Sequence, residues 1–235
     1  MPNLLSNLQT LPEAEATFLR PVVERFVSQQ NADNAAPMAQ YLKKRFDFLG
    51  IKSPERRLIY KDFLKVPFDV NLELIARWLW DQPYRELQHY AIDILVKAAK
   101  KAPESRIDLY EKLISEKSWW DTVDALAVNA VGVHFRLYPH LISTKVNAWM
   151  QTENMWLQRT CLLFQLKYKM SMNVDLLLDC IKKLGHTKEF FIQKAIGWIL
   201  REYSKTDANW VLGVVQNENL KPLSKREALK WLVRR

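Results

Sequence analysis

Glycine is scarce in this chain, 5 residues in 235 against 10 prolines, and runs of Val or Thr are few. A turn-rich β protein needs glycine at its positive-φ turns and β-branched residues in its strands, so the shortage argues against a sandwich or barrel. No run of about 18 apolar residues occurs, which predicts no transmembrane helix. The stretch Met1 to Arg20 carries Glu13 and Glu15 and lacks a basic segment followed by an apolar one, so no secretion signal is expected there. Only two cysteines are present, Cys161 and Cys180, both inside apolar helical patterns. They are expected to be buried thiols rather than a disulfide or metal pair, which fits a reducing cytoplasm. The four histidines, His89, His134, His140 and His186, show no metal-ligand spacing, and neither a Gly-rich phosphate loop nor a nucleophile elbow occurs. No metal and no cofactor are expected.

What remains is 49% hydrophobic and dominated by Leu, Ala, Lys, Glu and Arg, the composition of an all-α protein with ample material for a core. The formal charge is +9 and unevenly spread. Residues 1–118 hold eighteen Lys and Arg against sixteen Asp and Glu, whereas residues 119–235 hold seventeen against ten. Such an excess in one half suits a polyanion, nucleic acid first; simple solubility is the alternative reading.

Residues 13–30 and 33–46 read as amphipathic helices, the second with Asp33 or Asn34 as N-cap. Gly50 suits a helix end, Ser53 a cap, and Pro54 the first position of the helix that follows. Breaks are expected at Pro67, Pro83, Pro103, Pro139, Gly185 and Pro222, with no linker among them, so one domain over 1–235 is the economical reading. A repeat then emerges. Segments opening at Tyr84, Trp119, Met155, Phe190 and Leu223 start 35, 36, 35 and 33 residues apart. Between them lie further helices at Pro103–Glu116, Pro139–Met150 and Val174–Leu184. Two helices per unit of about 35 residues predicts an α-solenoid of HEAT-like pairs with a concave, basic groove. Residues 84–235 carry the regular repeats and 1–83 are irregular, which leaves an irregular helical bundle as the alternative.

Trp120 and Asp124 lie four residues apart, one turn on one helix face. They are either a core indole beside a solvated acid or a small anionic pocket with an aromatic wall. Asp121 is set aside, because it lies about 60° of helix from Asp124. The repeat aligns Trp120 with Trp156 and Phe191, and Val123 with Arg159 and Lys194. Trp198 follows one turn beyond Lys194. Neighbouring helices pack about 8–10 Å apart, so Trp120, Asp124, Arg159 and Trp198 can converge. Taken singly, Trp198 also fits a core position and Arg159 a structural salt bridge.

The motifs SWWDTVD (Ser118–Asp124), WLQR (Trp156–Arg159) and FFIQKAIGWILREY (Phe190–Tyr203) resemble the AlkD family of HEAT-like-repeat alkylpurine DNA glycosylases. MAQYLKKRFDFLGIKSPERR (Met38–Arg57) and KREALKWL (Lys225–Leu232) extend the resemblance over nearly the whole chain. It implies a base-excision-repair enzyme that hydrolyses the N-glycosidic bond of N3- or N7-alkylated purines in duplex DNA, without base flipping. By the same resemblance Asp124 is the catalytic carboxylate, Trp120 and Trp198 flank the deoxyribose, and Arg159 contacts DNA beside the lesion. Tyr41, Ser53, Arg57 and Arg201 match DNA-holding positions, and Phe191 sits near the groove wall.

The chemistry is coherent on its own terms. Alkylation at N3 or N7 makes the purine cationic, so it leaves neutral and needs no general acid; one carboxylate can then do what glycoside hydrolases do with two. Arg159 suits phosphate through paired hydrogen bonds. Lys194 is assigned to phosphate or a structural role, since nothing local calls for the depressed pKa of a Schiff-base lysine, and a monofunctional, monomeric, cytoplasmic enzyme is expected. Two readings of other classes remain: a non-catalytic DNA-binding solenoid and a protein-binding HEAT scaffold.

Overall fold

The computed structural model describes residues 4–66 and 68–234. Among these every regular element is helical, and the one β contact is an isolated bridge between Asp47 and Tyr84. The chain divides into two compact units, Met1–Ala98 and Ala99–Arg235.

The first unit contains α1 (Leu4–Asn7), α2 (Glu13–Ser28), α3 (Ala32–Tyr41), α4 (Ser53–Tyr60), α5 (Leu72–Asp81) and α6 (Arg85–Ala98). In α2 the buried residues Leu19, Val22, Val23 and Phe26 follow the i, i+3, i+4, i+7 stripe of an amphipathic helix, and α2 packs on α4 and α5. Several local expectations shift here. Asn31, not Asp33 or Asn34, caps α3, its side chain accepting from the N–H groups of both. The helix expected to reach Phe46 stops at Tyr41, because Lys43 and Lys44 turn to φ 59° and 55°. Gly50 ends no helix. It sits at φ 87° where an added Cβ would lie 1.8 Å from the Asn31 carbonyl oxygen, and its neighbourhood is pinned by Glu86. That buried carboxylate accepts from the N–H groups of Leu49, Gly50 and Ile51 at 3.1, 2.9 and 3.1 Å. Lys52 rather than Ser53 is the N-cap of α4, with Glu55 reaching back to the Lys52 N–H at 3.1 Å, so Pro54 stands second in the helix. The break expected at Pro67 lies outside the described residues.

The second unit contains α7 (Arg106–Ser115), α8 (Trp120–Leu126), α9 (Gly132–Leu137), α10 (Leu141–Gln151), α11 (Met155–Leu163), α12 (Val174–Leu184), α13 (Phe190–Tyr203), α14 (Ala208–Asn217) and α15 (Pro222–Leu229). Breaks fall at Pro103, Pro139, Gly185 and Pro222 as expected. Asn154, Asn173 and Asp207 cap α11, α12 and α14 by accepting backbone N–H groups. A π-helical turn, Ala127–Val131, joins α8 to α9. Helix α11 packs against α7, α8, α10, α12 and α13, and α13 packs along α15. Cys161 and Cys180 are both buried and free.

Helices α8, α11 and α13 begin at Trp120, Met155 and Phe190, an even 35 residues apart. This moves the expected alignment by one residue. The fifth helical position is held by Asp124, Arg159 and Lys194, so Asp124 and not Val123 is the counterpart of Arg159. The extended Trp119 (φ −157°, ψ 159°) precedes α8 as its N-cap, which is why the first indole of the pair falls outside the repeat.

Candidate functional site

Behind the site lies an aromatic cluster. Trp119 is buried against Trp156 and Phe191, with ring centroids 5.7 and 5.0 Å away, and Trp156 meets Phe191 at 5.1 Å. These rings fix the first turns of α8, α11 and α13 to one another. In front of them opens a cavity of about 370 Å³. Trp120 and Asp124 reach it from α8, Arg159 from α11, and Phe190, Phe191, Lys194, Trp198 and Arg201 from α13. All four residues expected at its centre thus line one space. Asp121 is not among the lining residues.

Asp124 and Arg159 form a two-point ion pair. Arg159 Nε donates to Oδ1 at 2.7 Å and Nη2 to Oδ2 at 2.8 Å, while Nη1 donates to the Phe191 carbonyl. Arg159 is only 4% exposed. The paired hydrogen bonds expected to meet a phosphate are therefore made inside the protein, to the carboxylate, because the 35-residue spacing places the two side chains at equivalent points of adjacent helices. Burial pushes the Asp124 carboxyl above its ordinary value; the hydrogen bonds and charge of Arg159 offset part of that rise, and the nearby Asp121 charge adds to it.

Glu227, on α15, was not expected at the cavity but lines it. Its carboxylate bridges Lys194 Nζ at 3.0 Å, Lys230 Nζ at 2.6 Å and Arg201 Nη1 at 3.2 Å. Burial pushes the Glu227 carboxyl up, but hydrogen bonds from Lys230 and Lys194, together with their charges, outweigh it and hold the group below the usual range. A Cβ on Gly197 would lie 2.3 Å from Glu227 Cβ, so this glycine permits the close approach of α13 and α15 that brings Glu227 in. A trace in the sequence points to it: Glu227 lies 33 residues after Lys194, as Leu223 lies after Phe190, and is the sole acid from Lys221 to Arg235.

The remaining expected positions lie in the first unit. Tyr41 ends α3 and is 73% exposed; Ser53 and Arg57 are exposed on α4. Among the described residues no group of three or more His, Cys, Asp or Glu is placed to hold a metal ion. No helix among them is long and apolar enough to cross a membrane.

The family model described as "DNA alkylation repair enzyme" matches residues 22–232. A solved structure described as a predicted DNA alkylation repair enzyme from Enterococcus faecalis is similar at TM-score 0.81 and 35% identity, covering 88% of this chain and 98% of that one. No curated protein sequence matches. The chain belongs to the DNA alkylation repair enzyme family, and its role lies in the repair of alkylated DNA.

Proposed function

We propose that the chain is a monofunctional DNA glycosylase, which hydrolyses the N-glycosidic bond of N3- and N7-alkylated purines in duplex DNA. The observation that carries this reading is Asp124: a carboxylate fixed at two points by Arg159, on the wall of a cavity that Trp120 and Trp198 also line. The C1′–N bond breaks heterolytically, and its electron pair neutralises the cationic purine, which leaves without a proton donor. Positive charge develops on the sugar. Asp124 stabilises that charge across a short distance, and the indole faces add about 0.5–2 kcal/mol each. A water adds its oxygen to C1′ and passes its proton to Asp124 or solvent, leaving an abasic site.

The cavity's second carboxylate, Glu227, is held ionised by three cations and is unsuited to act as a general acid, consistent with a leaving group that needs none. Arg159 is assigned to holding Asp124 in place, and Lys194 and Arg201, with Tyr41, Ser53 and Arg57, to the DNA backbone. In this function the second unit's helices stack as HEAT-like pairs with a basic inner face, and the enzyme acts without base flipping, as a single copy in the cytoplasm.

The test is release of free methylated purine from methylated duplex DNA. Wild-type protein is expected to release it, and Asp124→Asn to slow release by about 10²–10³-fold, the loss usual for a removed electrostatic stabiliser. Absence of release by the wild type removes the enzymatic reading, and equal release by the variant removes Asp124 from its role. For the non-catalytic and scaffold readings the discriminator is salt. Affinity for duplex DNA should fall steeply between about 50 and 200 mM salt if backbone phosphates are bound; a protein-binding scaffold shows no such slope.

A further inference from the structure

Glu227 has no part in the chemistry above, and for a surface that meets a polyanion it carries the wrong sign. Its placement is nonetheless specific. It is 4% exposed, it sits over Gly197 on α13, and its two oxygens divide their partners: Oε1 takes Lys194 and Lys230, Oε2 takes Arg201. Lys194 and Arg201 are seven residues apart, two turns on one face of α13, and Trp198 lies between them on that face. All three line the cavity. We propose that Glu227 is a positioning residue that braces Lys194 and Arg201 as a fixed cationic bracket, one on each side of Trp198, for the backbone phosphates flanking the damaged nucleotide.

The inference rests on the glycosylase reading of this same cavity. Its physical ground is a competition between affinity and placement. Three cations against one carboxylate leave a surplus of two positive charges for phosphate, one fewer than the cations alone would give. In exchange two long side chains that otherwise sample many rotamers are ordered before DNA arrives. For grip alone, the lost charge and the saved ordering cost oppose each other. A protein that must set a sugar against Asp124 and Trp198 gains from the placement itself, since a misplacement of about 1 Å in a reacting geometry can cost roughly a hundredfold in rate.

The experiment substitutes Glu227→Gln in the full chain and follows two readouts: binding to undamaged duplex by anisotropy, and single-turnover release of methylated purine at saturating protein. Binding is expected to hold or tighten by up to about tenfold, since a negative charge is gone, while release slows by about tenfold or more. Opposite movement of the two is something a mere fold defect does not produce. The loss of duplex binding caused by Arg201→Ala should differ between the wild type and the Glu227→Gln background, an energetic coupling measurable without any catalysis; equal losses in the two overturn the bracket. Release at the wild-type rate, or a proportionate fall in binding, release and melting temperature, overturns the proposal. If the wild type releases no base yet the coupling persists, the bracket stands and the glycosylase reading falls. Should Glu227→Gln not fold, Lys194→Gln and Arg201→Gln carry the test. Made singly and together, they show non-additive losses for a bracket, and purely additive ones overturn it.

Discussion

At the residue scale the decisive object is the Asp124–Arg159 pair, because each member sets the other's state. Removing Arg159 leaves a largely buried carboxylate without its cation, a loss on the order of 3 kcal/mol in stability and, for a chain of this size, roughly 10 °C in melting temperature. It also changes a pH profile. Asp124 must be ionised to work, and its carboxyl already lies above the ordinary 3.8, so release should fall on the acid side at a higher pH than a free aspartate would give. Arg159 supplies the contributions that lower this value. In Arg159→Ala the acid limb therefore moves to still higher pH, and in Asp124→Asn the limb disappears. Rates of methylated-purine release followed from acid to neutral pH, corrected for spontaneous depurination, check all three; an acid limb at the same pH in Arg159→Ala refutes the coupling. For Trp198→Ala the expected loss in release exceeds the loss in stability, since the indole is only half buried at the cavity wall. Unfolding in thermal melts would identify Trp198 as core instead.

At the scale of elements the site is held by repetition. Helices that start 35 residues apart put Asp124, Arg159 and Lys194 at one register, and Glu227, one position later in α15, pairs with Lys194, so acid meets base at both ends of the row. This order is legible in the sequence, apart from a one-residue shift, because apolar spacing and proline breaks report helix starts directly. What spacing could not report is how closely two helices approach. Gly132 and Gly197 decide that: an added Cβ would lie 2.3 Å from the Phe164 carbonyl oxygen in the first case and 2.3 Å from Glu227 Cβ in the second. Gly197→Ala should force α15 outward, costing about 1–3 kcal/mol and slowing release as the Glu227 contacts loosen. Thermal melts beside single-turnover rates test it, and a variant as stable and as fast as wild type contradicts the close-approach argument. The π-helical turn at Ala127–Val131, which begins three residues after Asp124, was equally hidden, since its five apolar or amide residues read as ordinary helix.

For the molecule as a whole, the first unit shows where pattern reading stops. Its order comes from polar clamps: Glu86 holding three successive backbone N–H groups, and Tyr60 donating to Asp93 at 2.5 Å. Neither leaves a periodic trace, which is why caps and helix ends there were displaced by up to five residues, against at most three in the second unit. The two cysteines have a consequence for a protein whose surroundings, by its calling, contain electrophiles. A thiolate is the nucleophile that methylating agents seek. Burial keeps both sulfurs protonated, pushing Cys161 well above its ordinary value and Cys180 up to about 11. A thioether needs no deprotonation, and that of Met170 is 81% exposed. When the protein is treated with a methylating agent, mass spectrometry should find the sulfonium adduct at Met170 before either cysteine is touched. Early modification of Cys161 would show that the interior opens on that timescale. A repair protein built in this way keeps its thiols out of reach of the agents that alkylate DNA and meets them with a thioether instead.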